Sequence, residues 1–389
     1  MKYWRGYIAA AIFAAIALAL TEFAKTHTTL VDMVYPYVTR LVQTTLAGWS
    51  GGADFLLWQL LAVLLIAALL ASIVVMIVLK WNVFQWFGWV LTAASCLWML
   101  HTGIYGLNNY AGPLADDIRL NVTEYTVTEL ANATTYFRDK ANELGTAIPR
   151  DEKGNPQYPS FEELAQMAGV GFETLTYDRS YSVFAGSTVP VKKLGWEKMY
   201  SSMGIAGVTM ALTGEAAVNP NIPLVSLPFT MCHEMAHRMC ISIERDANLA
   251  AYLACQAHED PIFQYSGYFM AFRYCYSALD NLGTSTAKNV AQNIYAGIND
   301  TLKADLAAYN IWLQDSQDPG AVDFANDLND TYIKISGDEK GVESYGEVCD
   351  LLVSWYVQDV YLPEHKDEEV VFDPTDRNQV DLGDSTGGN

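Results

Sequence analysis

The residues with the clearest capacity for chemistry are two histidines and the glutamate between them. His233 and His237 are four residues apart, so in a helix their imidazole rings share one face and can bind the same metal ion. Two imidazoles are typical ligands of zinc, and a catalytic zinc site takes a third ligand from the protein. Glu234 follows the first histidine and can accept a proton from a zinc-bound water molecule. The His-Glu-x-x-His pattern therefore predicts a Zn²⁺-dependent peptidase, with a metal-free pair of hydrogen-bonded histidines as the alternative.

The third metal ligand is expected seven residues after His237. Glu244 and Asn248 are four residues apart and would share one face of a second helix, whereas Asp246 would point roughly to the opposite side. This spacing favours Glu244 as the ligand and keeps Asp246 as the alternative carboxylate. Asn248 would then orient a metal ligand through a hydrogen bond.

The short interval between His237 and Glu244 constrains the backbone. One straight helix would separate the two residues by about 10 Å along its axis, whereas zinc lies only about 2 Å from each ligand atom. The helix must therefore break and fold back. Zinc peptidases with such short spacing place a glycine at this turn, but this chain has Cys240 there. A positive φ at a cysteine costs about 1 kcal/mol or more, so either the turn is made differently or Cys240 tolerates the strain.

These residues need two helices to position them, and a small sheet is expected beside the helices. The hydrophobic pattern predicts helices at 230–238 and 244–258 and strands at 182–192 and 207–212. The stretch 204–219 is interpreted as a strand, a glycine turn and a second extended piece. An edge strand there could pair with an extended peptide substrate, or the hairpin could simply pack on the helix. The predicted fold class is mainly α with a small β-sheet, an α+β fold.

A peptidase also needs a donor to the oxyanion that forms when water attacks a peptide carbonyl. Tyrosines 265, 268 and 345 are the possible donors, and an ordinary core or surface position is the alternative for each. Tyr345 is kept as the possible donor at the predicted site. The six cysteines form no CxxC pair, so a cysteine-based zinc site is not predicted.

Three apolar runs fill the first quarter of the chain, at 7–20, 55–79 and 83–105. A helix of roughly 20 apolar residues crosses a bilayer, so three transmembrane helices in contact with lipid are predicted. The first run could instead be a cleaved signal peptide, but the membrane helices that follow favour an uncleaved anchor. Lys2 and Arg5 place the N-terminus in the cytoplasm, and an odd number of spans places the rest of the chain outside. We therefore predict a multi-pass protein of the cell membrane with an extracytoplasmic catalytic domain.

The distribution of charge divides the chain into parts. The 389 residues carry a net charge of −21, although only 17% of them are charged. The first 105 residues hold five basic and three acidic side chains, so the acidity belongs to the remainder. An acidic surface argues against a nucleic-acid partner, because phosphate contacts need basic groups. We predict a transmembrane segment at 1–105, a peptidase domain at 106–363 that takes a peptide or protein substrate, and an acidic disordered tail at 364–389.

Four short motifs together resemble a bacterial family of uncharacterised membrane proteins that have N-terminal transmembrane helices and a predicted gluzincin-type peptidase domain. The motifs are Thr213-Gly214-Glu215-Ala216, Leu227-Pro228-Phe229-Thr230, His233-Glu234-x-x-His237 and Glu244-x-Asp246-Ala247-Asn248. The resemblance implies a zincin-like domain with zinc at His233, His237 and Glu244, and with Glu234 as the general base. Asn248 stands where similar membrane peptidases have aspartate, and Cys240 stands where they have glycine.

The predicted function is a membrane-anchored zinc metallopeptidase. The alternative is a catalytically inactive peptidase-like domain that binds a partner or senses an extracytoplasmic ligand. An intramembrane protease is disfavoured because the histidine motif lies far beyond the last apolar run. The nearby Pro220, Asn221 and Pro223 also do not suit a lipid-exposed segment.

Overall fold

The computed structural model describes residues 2–336 and 348–365. These residues form a mainly helical protein with one small sheet, which confirms that part of the predicted fold class. The strands are β1 Lys192–Lys193, β2 Gly207–Met210 and β3 Glu215–Val218. The helices are α1 Arg5–Thr26, α2 Thr28–Ser50, α3 Leu57–Val78, α4 Val83–Ile104, α5 Leu114–Asp117, α6 Val127–Ala147, α7 Phe161–Met167, α8 Val170–Asp178, α9 Glu197–Ser202, α10 Leu227–Arg238, α11 Glu244–Ala257, α12 Pro261–Asn281, α13 Ser285–Ala296, α14 Asp300–Ser316, α15 Pro319–Ser336, α16 Val348–Tyr356 and α17 Leu362–Glu364.

Helices α1, α3 and α4 are long and apolar enough to cross a membrane, as the three apolar runs predict. α1 and α4 pack in parallel, with Gly6 against Gly88 near their N-terminal ends and Ala24 against Leu107, which follows the end of α4. The backbones are so close that a Cβ on Gly6 would lie 2.5 Å from the carbonyl carbon of Gly88. The hydroxyl of Thr92 donates to the Gly6 carbonyl at 2.8 Å. The C-terminal ends of α1 and α4 therefore lie on the same side.

Residues 28–50, which lie between the first two apolar runs, form helix α2. Arg40 of this helix is buried, and its guanidinium donates from Nε to the carbonyl of Met239 at 3.2 Å and from Nη1 to that of Ser182 at 3.1 Å. The segment folds as a helix because its polar residues repeat along one side and meet acceptors on the domain.

The sheet has the strand order β1-β3-β2, with β1 parallel and β2 antiparallel to β3. The β2–β3 hairpin confirms the prediction of two extended pieces around a glycine turn. The strand predicted at 182–192 is wrong except for its last residue, since 182–184 is a 3₁₀ turn and β1 holds only Lys192–Lys193. Two buried arginines donate hydrogen bonds to carbonyl groups of the segment 182–192. Arg40 binds that of Ser182, and Arg238 binds those of residues 187 and 189.

The helix that carries the two histidines lies inside the core. α10 packs against α11, α12 and both strands of the hairpin. Ten of its twelve residues are buried, so neighbouring elements fix its position on nearly every side. The tail predicted at 364–389 lies outside the described residues from position 366 onward.

Candidate metal site

The turn after α10 reverses the chain and brings the start of α11 back to the histidines. The N–H of Cys240 donates to the carbonyl of His237 at 2.9 Å, and the N–H of Ile241 donates to that of Ala236 at 3.1 Å. This pair of hydrogen bonds is the Schellman pattern that ends many helices. Cys240 occupies its left-handed position with φ 71°, so the cysteine adopts the strained conformation usually taken by glycine. Its side chain is buried against Tyr105 and Ala211.

Three predicted ligands come together at this turn. The Nε2 atoms of His233 and His237 are 3.0 Å apart. The carboxylate of Glu244 lies 3.3 Å from Nε2 of His233 and 3.6 Å from Nε2 of His237. Ligand atoms at about 2.0–2.1 Å from a tetrahedral zinc are separated by about 3.3 Å. The spacing of the three groups therefore fits one zinc ion without a change in the backbone, and among the described residues they form the group that could hold a metal ion.

The second ring nitrogen of His237 fixes how its imidazole is oriented. Nδ1 of His237 lies 2.8 Å from the carbonyl oxygen of Ile241. Because a carbonyl only accepts, Nδ1 carries a hydrogen, and in the neutral ring Nε2 then presents its lone pair to the cluster. Nδ1 of His233 is buried and has no hydrogen-bond partner among the described residues.

Charges within the cluster shift the pKa values of two of its members. Burial alone would lower the pKa of His237, but the carboxylate of Glu244 raises it to about 9. Burial alone would raise the pKa of Glu244, but the attraction of His237 and hydrogen bonding to the histidines hold it well below its usual range. The metal-free cluster therefore keeps a proton on an imidazole beside an ionised carboxylate. A metal cation that replaced this proton would meet two nitrogen ligands and one negative charge.

Glu234 belongs to α10, and its side chain contacts strand β2 of the sheet. Its side chain is buried and accepts a hydrogen bond from Oγ1 of Thr209 on β2 at 2.7 Å. β2 approaches so closely that a Cβ on Gly207 would lie 2.4 Å from Oε1 of Glu234, so a larger residue there would displace the Glu234 side chain. Burial raises the pKa of Glu234. A buried carboxyl group with a raised pKa is suited to take up and release a proton.

Asp246 and Glu244 point to different parts of the molecule. Oδ2 of Asp246 accepts from the N–H of Leu114 at 3.0 Å, away from the histidines. Asn248 is buried on the same face of α11 as Glu244, and its Oδ1 accepts a hydrogen bond from the hydroxyl of Tyr274 at 3.2 Å. Of the two alternative carboxylates, the structure thus brings Glu244 to the histidines.

The tyrosines considered as oxyanion donors do not join the cluster within the described residues. The hydroxyl of Tyr265 donates to Asp305 at 2.5 Å, and Tyr268 packs against Tyr136 and other core rings. Tyr345 lies outside the described residues. The sequence analysis missed Tyr274 and Thr209, because nothing in their local sequence shows that folding brings them to Asn248 and Glu234.

Comparison with known proteins places the chain in a family but attaches no activity to it. The family model described as "Protein of unknown function (DUF3810)" matches residues 31–353. This range includes α3, α4 and all the residues of the candidate metal site. No curated protein and no solved structure matches the chain.

Proposed function

The chain belongs to the DUF3810 family of proteins of unknown function, and we propose that it is a membrane-anchored zinc metallopeptidase with a zincin-like domain. The observation that carries the proposal is the convergence of His233, His237 and Glu244 on one point. Glu234, a buried carboxyl group with a raised pKa, lies next to them in the sequence. This set combines a complete zinc ligand group with a proton acceptor.

In the proposed reaction, the protein residues orient the reactants and move one proton. A bound zinc ion would supply Lewis-acid chemistry by acidifying water and polarising the scissile carbonyl. Glu234 accepts the proton of the attacking water and later transfers it to the leaving amine. The hydroxyl of Thr209 holds the Glu234 carboxylate in position for both transfers. Tyr274 holds Asn248 behind Glu244 through its hydrogen bond.

Strand β2 offers a place for an extended peptide. It is an edge strand of the described sheet, because β3 pairs with it on one side. Thr209 on this strand already contacts Glu234, so a peptide paired with the free edge of β2 would pass beside the proton acceptor. Backbone pairing gives affinity with little demand on the side chains of the substrate.

The domain is proposed to lie outside the cytoplasm. Lys2, Arg5 and the α3–α4 turn at Lys80 lie at the ends of the three apolar helices that face away from the domain. The positive-inside rule places those ends in the cytoplasm. The N–H of Leu57, at the opposite end of α3, donates to Glu215 of the sheet at 2.8 Å.

The variant Glu234→Gln tests the proposal in the purified full-length chain. Peptide cleavage is followed with an unbiased peptide library, and zinc content is measured in the same preparation. Removing the general base should lower the cleavage rate by about 10³-fold while zinc is retained. The control Glu162→Gln, at an exposed glutamate that pairs with Lys193, should leave the rate unchanged.

Unchanged cleavage by Glu234→Gln would rule out Glu234 as the base. A wild-type protein that purifies without zinc and takes none up would favour the inactive binding or sensing module instead.

A further inference from the structure

Helix α2 has one face on the protein and an opposite face that no described residue covers. The buried face includes Thr39, Arg40, Gln43 and Ala47. At 100° per residue, the exposed large side chains between residues 30 and 41 fall on the other side of the helix. They are Leu30, Met33, Val34, Tyr37, Val38 and Leu41.

The exposed face of α2 contains no charged group. The helix has two charged residues, Asp32 and Arg40. Asp32 accepts from the N–H of Gly112 at 2.8 Å, and Arg40 is buried on backbone carbonyls. A continuous apolar strip of this size is unfavourable in water, and on a folded protein it marks a surface that contacts another apolar phase.

The position of α2 identifies that phase as lipid. α2 begins two residues after the last residue of α1, and α3 begins seven residues after α2 ends. The hydroxyl of Tyr35 donates to the carbonyl of Thr102 in the last turn of α4 at 2.9 Å. α2 therefore lies at the level where the three apolar helices end, so its exposed face is placed to contact the same lipid.

The same helix holds the metal cluster close to that level. Arg40 of α2 binds the carbonyl of Met239, directly before the Cys240 turn. Gln43 donates to the carbonyl of Ala211 between β2 and β3 at 3.0 Å. The hydroxyl of Tyr105, the first residue after α4, donates to the carbonyl of His237 at 3.0 Å. The side chain of Tyr105 thus connects the end of α4 directly to His237.

We propose that α2 is an interfacial helix whose exposed apolar face lies in the bilayer crossed by α1, α3 and α4, and that the site beside it cleaves membrane-tethered proteins close to the lipid surface. The substrate class rests on the proposed peptidase function, whereas the lipid contact of α2 does not. α2 contacts the turn after α10, and Tyr105 at the end of α4 contacts His237. These two contacts hold the site at a small, fixed distance from the bilayer. A peptide segment held at that height by its own membrane anchor reaches the site at a high effective concentration.

The lipid contact is tested with nitroxide labels on the full-length protein in nanodiscs of phosphatidylethanolamine and phosphatidylglycerol. Cysteines replace Met33 and Leu41 one at a time, and the signal of the parent protein is subtracted. The reference positions are Leu70 on the exposed side of α3 and Glu152 in an exposed polar turn. Labels at 33 and 41 should be relaxed by oxygen more than by a water-soluble nickel chelate, as at Leu70→Cys. Accessibility to the nickel chelate, as at Glu152→Cys, or protection from both reagents would overturn the proposal.

The substrate class is tested with one cleavable sequence, chosen from the peptide library, in three settings. It is placed directly beside a single transmembrane helix, beyond a folded spacer domain on the same helix, or in a free peptide. Cleavage beside the helix should be at least tenfold faster than in the other two settings. Equal rates would overturn the substrate class and leave the peptidase function standing. Failure of the wild type to cleave any peptide would overturn both, while the nitroxide labels still decide the lipid contact.

Discussion

Glu215 and Glu234 are both buried glutamates beside the β2–β3 hairpin, but their surroundings differ. Glu215 accepts from the N–H groups of Leu57 and Trp58 at the start of α3 and from Nζ of Lys192, each at 2.8 Å. Within the described part of the chain, the carboxylate of Glu234 accepts only from Thr209. One carboxylate is neutralised by a cation and a helix N-terminus, and the other has a single neutral donor.

This difference separates a structural acid from the one that we propose as the general base. The donors around Glu215 hold its side chain in place and join α3 to the sheet, so its contacts serve the fold. Burial raises the pKa of Glu234, which makes its protonation state responsive to a cation placed on the neighbouring histidines. Both residues belong to motifs in the sequence. The hydrogen-bond partners in the fold, rather than the motifs, distinguish the structural acid from the proposed general base.

The largest effect on stability is expected from Glu215→Ala. The substitution leaves Lys192 without its counter-charge and two N–H groups of α3 without an acceptor, so the free energy of unfolding should fall by about 3–5 kcal/mol. The comparison is Glu162→Ala, which breaks the exposed ion pair with Lys193 on the same strand and should cost less than about 0.5 kcal/mol. Denaturant titration in detergent measures both. Similar costs for the two variants would show that Glu215 is not a structural anchor.

The metal-free site should give the protein a pH-dependent stability. The pKa of His237 in the fold, about 9, is raised above its ordinary value, so the stabilisation is complete below about pH 6.5 and is lost as the pH rises through 9. The melting temperature in a chelator should therefore decrease between pH 6.5 and 9, by an amount that corresponds to on the order of 3 kcal/mol. Bound zinc should reverse this slope, because zinc requires the deprotonated imidazole.

The variant His237→Gln is the control for this pH dependence. It lacks the titrating imidazole, so its melting temperature in a chelator should change less over the same range. A wild-type protein with a flat profile would show that Glu244 and His237 do not form the charged pair.

A third test compares the two acidic residues at the start of α11. Glu244→Gln removes a charged ligand from the histidine cluster and should weaken zinc binding at least 100-fold, as competition with a fluorescent chelator measures. Asp246→Asn alters a carboxylate that bonds to Leu114 and should leave zinc affinity within about threefold of wild type. Weaker zinc binding in Asp246→Asn than in Glu244→Gln would reassign the third ligand.

The elements that the sequence predicts well depend on local spacing. The apolar runs, the β2–β3 hairpin and the helical positions of His233 and His237 follow from the period of a helix or strand over a few residues. The segment 182–192 could not be predicted in this way. Its carbonyl groups bond to Arg40 and Arg238, which lie far away in the chain.

The hydrogen-bond partners of the site residues could not be predicted from the sequence for the same reason. Thr209 and Tyr274 contact Glu234 and Asn248 only because β2 and α12 pack beside the site helices. The location of the turn between His237 and Glu244 was predictable from the distance to be bridged, but its conformation was not. Whether a cysteine could occupy the left-handed position depends on what surrounds its side chain.

The smallest effect is expected at that cysteine. Cys240→Ala removes buried contacts with Tyr105 and Ala211 but keeps the strained φ, so the free energy of unfolding should fall by about 1 kcal/mol. Cys240→Gly loses the same contacts and gains about 1 kcal/mol from relief of the strain, so it should remain near wild type. Thermal unfolding of both variants measures the difference. A glycine variant less stable than the alanine variant would show that packing, rather than backbone strain, dominates the turn that brings Glu244 to the histidines.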